Sequence, residues 1–190
     1  MTCTYTDDLR DLAVAAGYVA NYCDHADHNE VVDAAWVIGA AETLRVIASR
    51  ISAREGVDLF GLYADRLAAI EARNVGSSSG EFDGGAAARA SSTWRELQLV
   101  QLEHDRTYHP DVLGLHKSEQ LNHYSLHLSK LVAALAREPS EREEHADFLA
   151  RRLPDMLLFG IKLTTVMGKK LPETSVVASY VPSPPAVTFA

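Results

Sequence analysis

The chain has 190 residues, with 26 acidic and 18 basic side chains and a formal charge of −8 when its histidines are neutral. This length suits one compact domain or two small fused halves, and the 47% hydrophobic content excludes global disorder. No run of about 18 apolar residues is present, so we expect no membrane span. The acidic balance argues against a nucleic-acid backbone as the main partner. With two cysteines and no secretory pattern at the N-terminus, the sequence favours a reducing cytoplasm.

Apolar residues recur at helical spacing along nearly the whole chain, whereas the two-residue alternation of strands is hard to find. We therefore predict an all-α fold, a bundle of about six or seven helices. Glycines and prolines should punctuate it, with Gly56 and Gly168 near helix ends and Pro154 kinking the last helix. The first expected helix ends near residues 23–29. In chain order, the others cover about 31–52, 59–74, 86–104, 118–136 and 140–168.

Composition also suggests how the chain is organised. The stretch 76–85 holds four glycines and three serines, which is typical of a flexible loop between two halves. The expected units are an N-terminal half 1–75, a loop 76–90, a C-terminal half 91–171 and an extended proline-rich tail 172–190. Asp33 and Asp155 each lie about one helical turn before an aromatic residue. Either a duplicated architecture or chance would produce this repeated pattern.

Three histidines form the most informative pattern. Spacings of seven and four residues place His116, His123 and His127 near one line of a helix. Neutral imidazoles one turn apart can ligate one divalent ion such as Zn²⁺ or Fe, or they can make polar contacts at a helix interface or point to water. If His116 precedes the helix, its alignment with the other two is lost.

Two other groups of polar residues suggest binding. Glu30 and Asp33 share a face at a helix start, where their oxygens could bind Mg²⁺ or simply stabilise the helix dipole. Arg106 follows a helix, and its planar guanidinium suits a phosphate or carboxylate. An ion pair of Arg106 with Asp105 or Glu103 is an equally good interpretation.

Two segments resemble the MazG-like, all-α nucleoside triphosphate pyrophosphohydrolase family. Residues 30–36 are similar to its Glu-x-x-Asp helix, and 56–75 to the helix and turn that follow; residues 151–173 have the same outline, with Asp155 at the aspartate position. The family sets a Glu-x-x-Glu pair opposite this motif around Mg²⁺, and here neither half alone supplies it. The positions facing the motif hold instead Ala13, Ala16 and Gly17 in the first half and Glu119, His123 and His127 in the second.

The resemblance implies Mg²⁺- or Mn²⁺-assisted attack of water on the α-phosphate of a nucleotide, with release of pyrophosphate. Glu30 and Asp33 would be metal ligands, and His123 or His127 would serve as the base or as a replacement ligand. A composite site drawing on both halves would add His116, Glu119 and Asp155 as further metal ligands. Its phosphate contacts would be Arg106, Lys130 and Lys162. The ligand would then be a phosphorylated small molecule. The alternatives are a histidine-ligated metalloprotein of other chemistry, with Zn²⁺ or Fe, and a non-catalytic helical module; a homodimer is expected in each case.

Overall fold

A computed structural model describes residues 5–28, 30–74, 82–137 and 142–176, without the side chains of residues 142 and 143. Helices account for most of these residues, which confirms the predicted all-α bundle. No helix among them has the length and apolar character needed to cross a membrane. The elements are α1 (Tyr5–Asp27), α2 (Ala35–Glu55), α3 (Leu59–Arg73), α4 (Gly84–Ala90), α5 (Trp94–Tyr108), α6 (Pro110–Leu113), α7 (Lys117–Ala136), α8 (Arg142–Asp147), a π-helical turn (Phe148–Arg152) and α9 (Leu153–Val166).

Helix α9 forms the centre of the bundle. Every residue from Leu153 to Thr164 is buried, and α2, α3, α5 and α7 all pack against this helix. A helix covered on all sides should be apolar all round. Its charged members, Asp155 and Lys162, therefore need partners from the surrounding helices.

The contact between α9 and α2 is close enough to require a glycine. A Cβ atom at Gly160 would lie 2.9 Å from the Ala41 carbonyl oxygen and 2.8 Å from Cγ of Arg45. The predicted helix ends at Gly56 and Gly168 are also confirmed, because both residues have left-handed φ angles, 65° and 69°. Glycine adopts this conformation without the steric cost that a Cβ atom adds.

The region around residues 76–93 differs from the sequence prediction. Part of the expected loop is helical, since α4 begins at Gly84 with the Asp83 side chain accepting a hydrogen bond of 2.7 Å from the Ala86 amide. The helix expected over 86–104 is split, because Thr93 and Glu96 form a reciprocal capping box that starts α5. Residues 75–81 lie outside the described residues.

The last predicted helix consists of three segments. A π-helical turn precedes α9, and Pro154 lies in the first turn of α9, where its missing N–H costs little. The kink expected at Pro154 stays a prediction. Ser140, the expected start of this helix, lies outside the described residues. The beginning of the proline-rich tail packs against α5, with the Val176 amide donating to the Ser92 carbonyl at 3.1 Å; residues 177–190 are not among those described.

Candidate functional site

A cavity of about 250 Å³ lies between α5, α6, α7 and α9. Its α7 wall is one face of that helix, because positions 117, 120 and 124 follow helical spacing. The Gln120 side chain donates to the Leu115 and Leu113 carbonyls at 2.9 and 3.3 Å, which fixes the connection between α6 and α7 that borders the cavity. The lining residues are Gln101, Leu102, Asp105, Leu113, Lys117, Gln120, Tyr124, Lys162, Thr165 and Val166.

A buried ion pair forms the floor of the cavity. Lys162 Nζ lies 2.8 Å from Asp105 Oδ1, and the two side chains are 9% and 6% exposed. The same oxygen accepts a hydrogen bond of 3.0 Å from Gln101 Nε2, while Gln101 Oε1 accepts one of 2.8 Å from the Tyr63 hydroxyl. Buried polar groups are stable when hydrogen-bonded in this way, so the chain of contacts fixes the Asp105 carboxylate.

His104 lies behind the floor without joining it. Its Nδ1 is 3.9 Å from Asp105 Oδ1 and its Nε2 is 3.7 Å from Glu71 Oε1, both beyond hydrogen-bond reach. Neither ring nitrogen has a hydrogen-bond partner among the described residues. The side-chain hydrogen bonds that hold Asp105 therefore come from Gln101 and Lys162.

Burial and charge act in opposite directions on Asp105. Burial raises the pKa of its carboxyl, but the Lys162 ammonium, together with the neighbouring His104 side chain, outweighs burial and holds the pKa below its usual range. Burial also raises the pKa of Tyr124 well above its ordinary value, so its hydroxyl stays protonated. The floor thus contains an ionised carboxylate beside an ammonium, and the wall contains a phenol that can donate.

The two lysines of the lining differ in their surroundings. Lys162 is neutralised by Asp105, whereas Lys117 is exposed, and within the described part of the chain no carboxylate oxygen lies within 4.0 Å of its ammonium. Because Lys117 is the exposed lysine of the lining, we call its end of the cavity the mouth. Its Nζ also lies 5.9 Å from the ring centroid of Tyr22 on α1, which is not a lining residue. The ion pair of the floor is close to neutral overall, and the mouth carries the positive charge of Lys117.

The structure brings together two of the three predicted histidines. The rings of His123 and His127 lie 4.8 Å apart on α7, and the His127 ring stacks on Phe159 at 4.9 Å. Burial lowers the pKa of both, to about 4 for His127, so His127 is neutral at pH 7. His116 precedes α7 with an extended backbone, φ −61° and ψ 156°, and is not aligned with them. His123, His127 and Phe159 are not among the residues that line the cavity, although the Phe159 ring centroid lies 5.8 Å from Lys162 Nζ.

The carboxylates predicted to bind a metal each have a protein partner. Glu30 pairs with His25, Asp33 Oδ1 accepts from the Ala35 amide at 2.8 Å, and Glu119 accepts from the His116 amide at 2.9 Å. Asp155 accepts from Arg66 Nε at 2.6 Å. Over residues 5–28, 30–74, 82–137 and 142–176, no three His, Cys, Asp or Glu side chains are grouped so as to hold a metal ion. These contacts do not fit a four-carboxylate cage, so we derive no step through a resident metal.

The predicted phosphate contacts also lie in different places. Lys162 lines the cavity, but Arg106 pairs with the exposed Glu103 at 3.0 Å, as its alternative interpretation expects, and neither Arg106 nor Lys130 lines the cavity. Sequence reasoning missed Asp105 and Gln101 as site residues. The sequence feature that points to them is a pair of polar residues four apart on a helix, at positions that the apolar pattern of α5 assigns to its inner face.

No protein-family model, curated protein or solved structure matches this chain. The resemblance to the MazG-like family therefore stays a prediction.

Proposed function

We propose that this protein binds a phosphorylated small molecule in the cavity, with the phosphate at Lys117 and the uncharged part of the molecule on the floor. The observation that carries the proposal is the contrast between the two lysines of the lining. Lys162 already has a carboxylate within 2.8 Å, whereas Lys117 is exposed and has none within 4.0 Å among the described residues.

Electrostatics favours the mouth over the floor as the place for phosphate. A phosphate oxygen in contact with Lys162 would lie about 4 Å from the Asp105 carboxylate, and like charges at that distance repel by about 4 kcal/mol at an effective dielectric constant of ~20. This repulsion is similar in size to the attraction that Lys162 offers. Among the described residues no carboxylate oxygen lies within 4.0 Å of the Lys117 ammonium, so an anion there gains the attraction without a carboxylate in direct contact with the same ammonium.

The size of the cavity supports the same arrangement. Its volume of about 250 Å³ is below the usual range of ligand pockets, about 300–1,000 Å³. It suits a single ring or a compact sugar and leaves the phosphate groups in the mouth. Mg²⁺ or Mn²⁺ is compatible with such a complex, because it takes most of its ligands from phosphate oxygens and water.

Calorimetric titration with uridine 5′-monophosphate and with uridine tests the proposal. Lys117→Met should weaken monophosphate binding about tenfold, the loss expected for one charge-assisted contact of about 1.5 kcal/mol, and should leave uridine binding unchanged. Lys130→Met is the matched control, since Lys130 is an exposed lysine of α7 that does not line the cavity. Equal losses in the two variants, or equal affinity for the nucleotide and the nucleoside, would contradict the proposal.

Three further hypotheses from the sequence stay predictions. They are hydrolysis of a bound nucleotide, Zn²⁺ or Fe at His123 and His127, and a homodimer. The histidine hypothesis gains support from the neutral state of His127, because only unprotonated imidazole ligates a metal. Elemental analysis of the purified protein tests it, and sedimentation equilibrium tests the dimer.

A further inference from the structure

The floor of the cavity offers a hydrogen-bond donor and an acceptor side by side. Within the described part of the chain, the close polar contact of Lys162 Nζ is with Asp105 Oδ1, whereas an ammonium group carries three N–H donors. Every hydrogen bond that Asp105 receives from described side chains falls on Oδ1, so Oδ2 has no donor within that set. A donor from Lys162 and an acceptor from Asp105 therefore stand a few ångströms apart on one buried surface.

The rest of the lining restricts what can lie on that surface. Leu102, Leu113 and Val166 are apolar, and Tyr124 contributes an aromatic ring. Gln101, Gln120 and Thr165 also line the cavity, but their side chains already hydrogen-bond within the protein. A polyol would therefore find few partners for its hydroxyl groups besides the floor and the Tyr124 hydroxyl, and burying the others is costly. A flat ring buries little polar surface on its faces and can satisfy its polar edge on the floor.

We propose that Asp105 and Lys162 are specificity-determining residues that select a heterocyclic ring whose edge carries an N–H group next to an acceptor, as in a cyclic amide. The ring N–H donates to Asp105 Oδ2, and the neighbouring carbonyl oxygen accepts from Lys162 Nζ. This rests on the proposed function, because the phosphate at Lys117 orients the ligand with its ring toward the floor.

A ligand series on the unaltered protein tests this assignment. Uridine 5′-monophosphate has the required edge, its N3-methyl derivative lacks the N–H, and ribose 5-phosphate lacks the ring. We expect calorimetric affinity to fall about tenfold or more on N3-methylation, since the buried Asp105 oxygen loses its donor, and further for ribose 5-phosphate. Equal affinity for the monophosphate and its N3-methyl derivative overturns the assignment.

Asp105→Asn separates a lost hydrogen bond from a steric effect of the methyl group. The two side chains have the same shape, so a steric penalty would persist in the variant, whereas a penalty due to the carboxylate should shrink to about threefold or less. Tyr124→Phe is the matched control, because it changes the lining without touching the floor and should keep the full penalty. If Asp105→Asn fails to fold, the ligand series on the unaltered protein still decides.

The same titrations distinguish the failure of this inference from the failure of the proposed function. Ribose 5-phosphate binding as tightly as the nucleotide, with both weakened by Lys117→Met, leaves phosphate binding intact and refutes ring recognition. Absence of binding by every phosphorylated probe refutes both.

Discussion

The stability of the Asp105–Lys162 pair provides the sharpest test of the site. Both side chains are almost fully buried and are joined at 2.8 Å on helices α5 and α9. Lys162→Met keeps the aliphatic length but leaves the Asp105 carboxylate buried, with Gln101 as its one side-chain donor among the described residues. Removing one partner of a buried pair costs about 3–5 kcal/mol, a large part of the roughly 5–15 kcal/mol by which a typical domain is stable.

A double-mutant cycle separates the pair from its burial. Asp105→Leu alone should be about as damaging as Lys162→Met, since it leaves the ammonium unpaired. The double variant should lose much less than the sum of the two, because no uncompensated charge remains. We expect a coupling free energy of about 3 kcal/mol.

Urea unfolding followed by circular dichroism measures all of these free energies. The matched control is the exposed pair Arg106–Glu103, whose atoms are 3.0 Å apart, where Arg106→Met should cost at most about 1 kcal/mol. Denaturant slopes should stay the same across the series, so that midpoints report stability. The reasoning is refuted if Lys162→Met costs no more than Arg106→Met, or if the two single losses simply add.

Three other predictions test packing, titration and chemistry. Gly160→Ala should destabilise the protein by about 1–3 kcal/mol through its clash with α2. Gly39→Ala, whose Cβ would meet no atom within 4 Å, should instead stabilise the protein by about 0.5–1 kcal/mol. A shift of the two urea midpoints in the same direction would contradict this. The folded-state pKa of His127, about 4, lies below its unfolded value, so stability should be full above about pH 6.5 and fall as pH drops toward 4. His127→Phe should flatten that part of the pH profile of unfolding, and an unchanged slope would argue against the shift. If the nucleotide hydrolysis implied by the resemblance occurs, Mg²⁺-dependent pyrophosphate release should be lost in Glu30→Ala and Asp33→Ala, and undiminished release would exclude them as ligands.

Local pattern was enough to predict most of the fold. Helical spacing of apolar residues gave the long helices, and Gly56 and Gly168 end the segments they were expected to end. The split before α5 was missed although its capping box, Thr93 with Glu96, is readable in the sequence. Helix α4 was hidden by its glycine content; there Gly85 packs so closely on α3 that a Cβ atom would lie 3.0 Å from Cβ of Ala68.

The candidate site could be predicted only where its geometry is local. His123 and His127 face each other because residues four apart on any helix do so. Lys162 was predicted as a phosphate contact, but its ion-pair partner Asp105 comes from another helix, and single-sequence spacing carries no information about such pairings. The same limit applies to Asp155, whose contact with Arg66 joins α9 to α3.

The close contact of α9 with α2 at Gly160 has a consequence for how the cavity responds to a bound ligand. Lys162 follows Gly160 by two positions on α9, so the floor is anchored next to the close contact between α9 and α2. A receptor surface built on such rigid scaffolding is preorganised, and little conformational entropy is lost when it is occupied. Amide hydrogen exchange along α9 should accordingly be slow already in the empty protein, with ligand-induced protection concentrated in α6 and the start of α7.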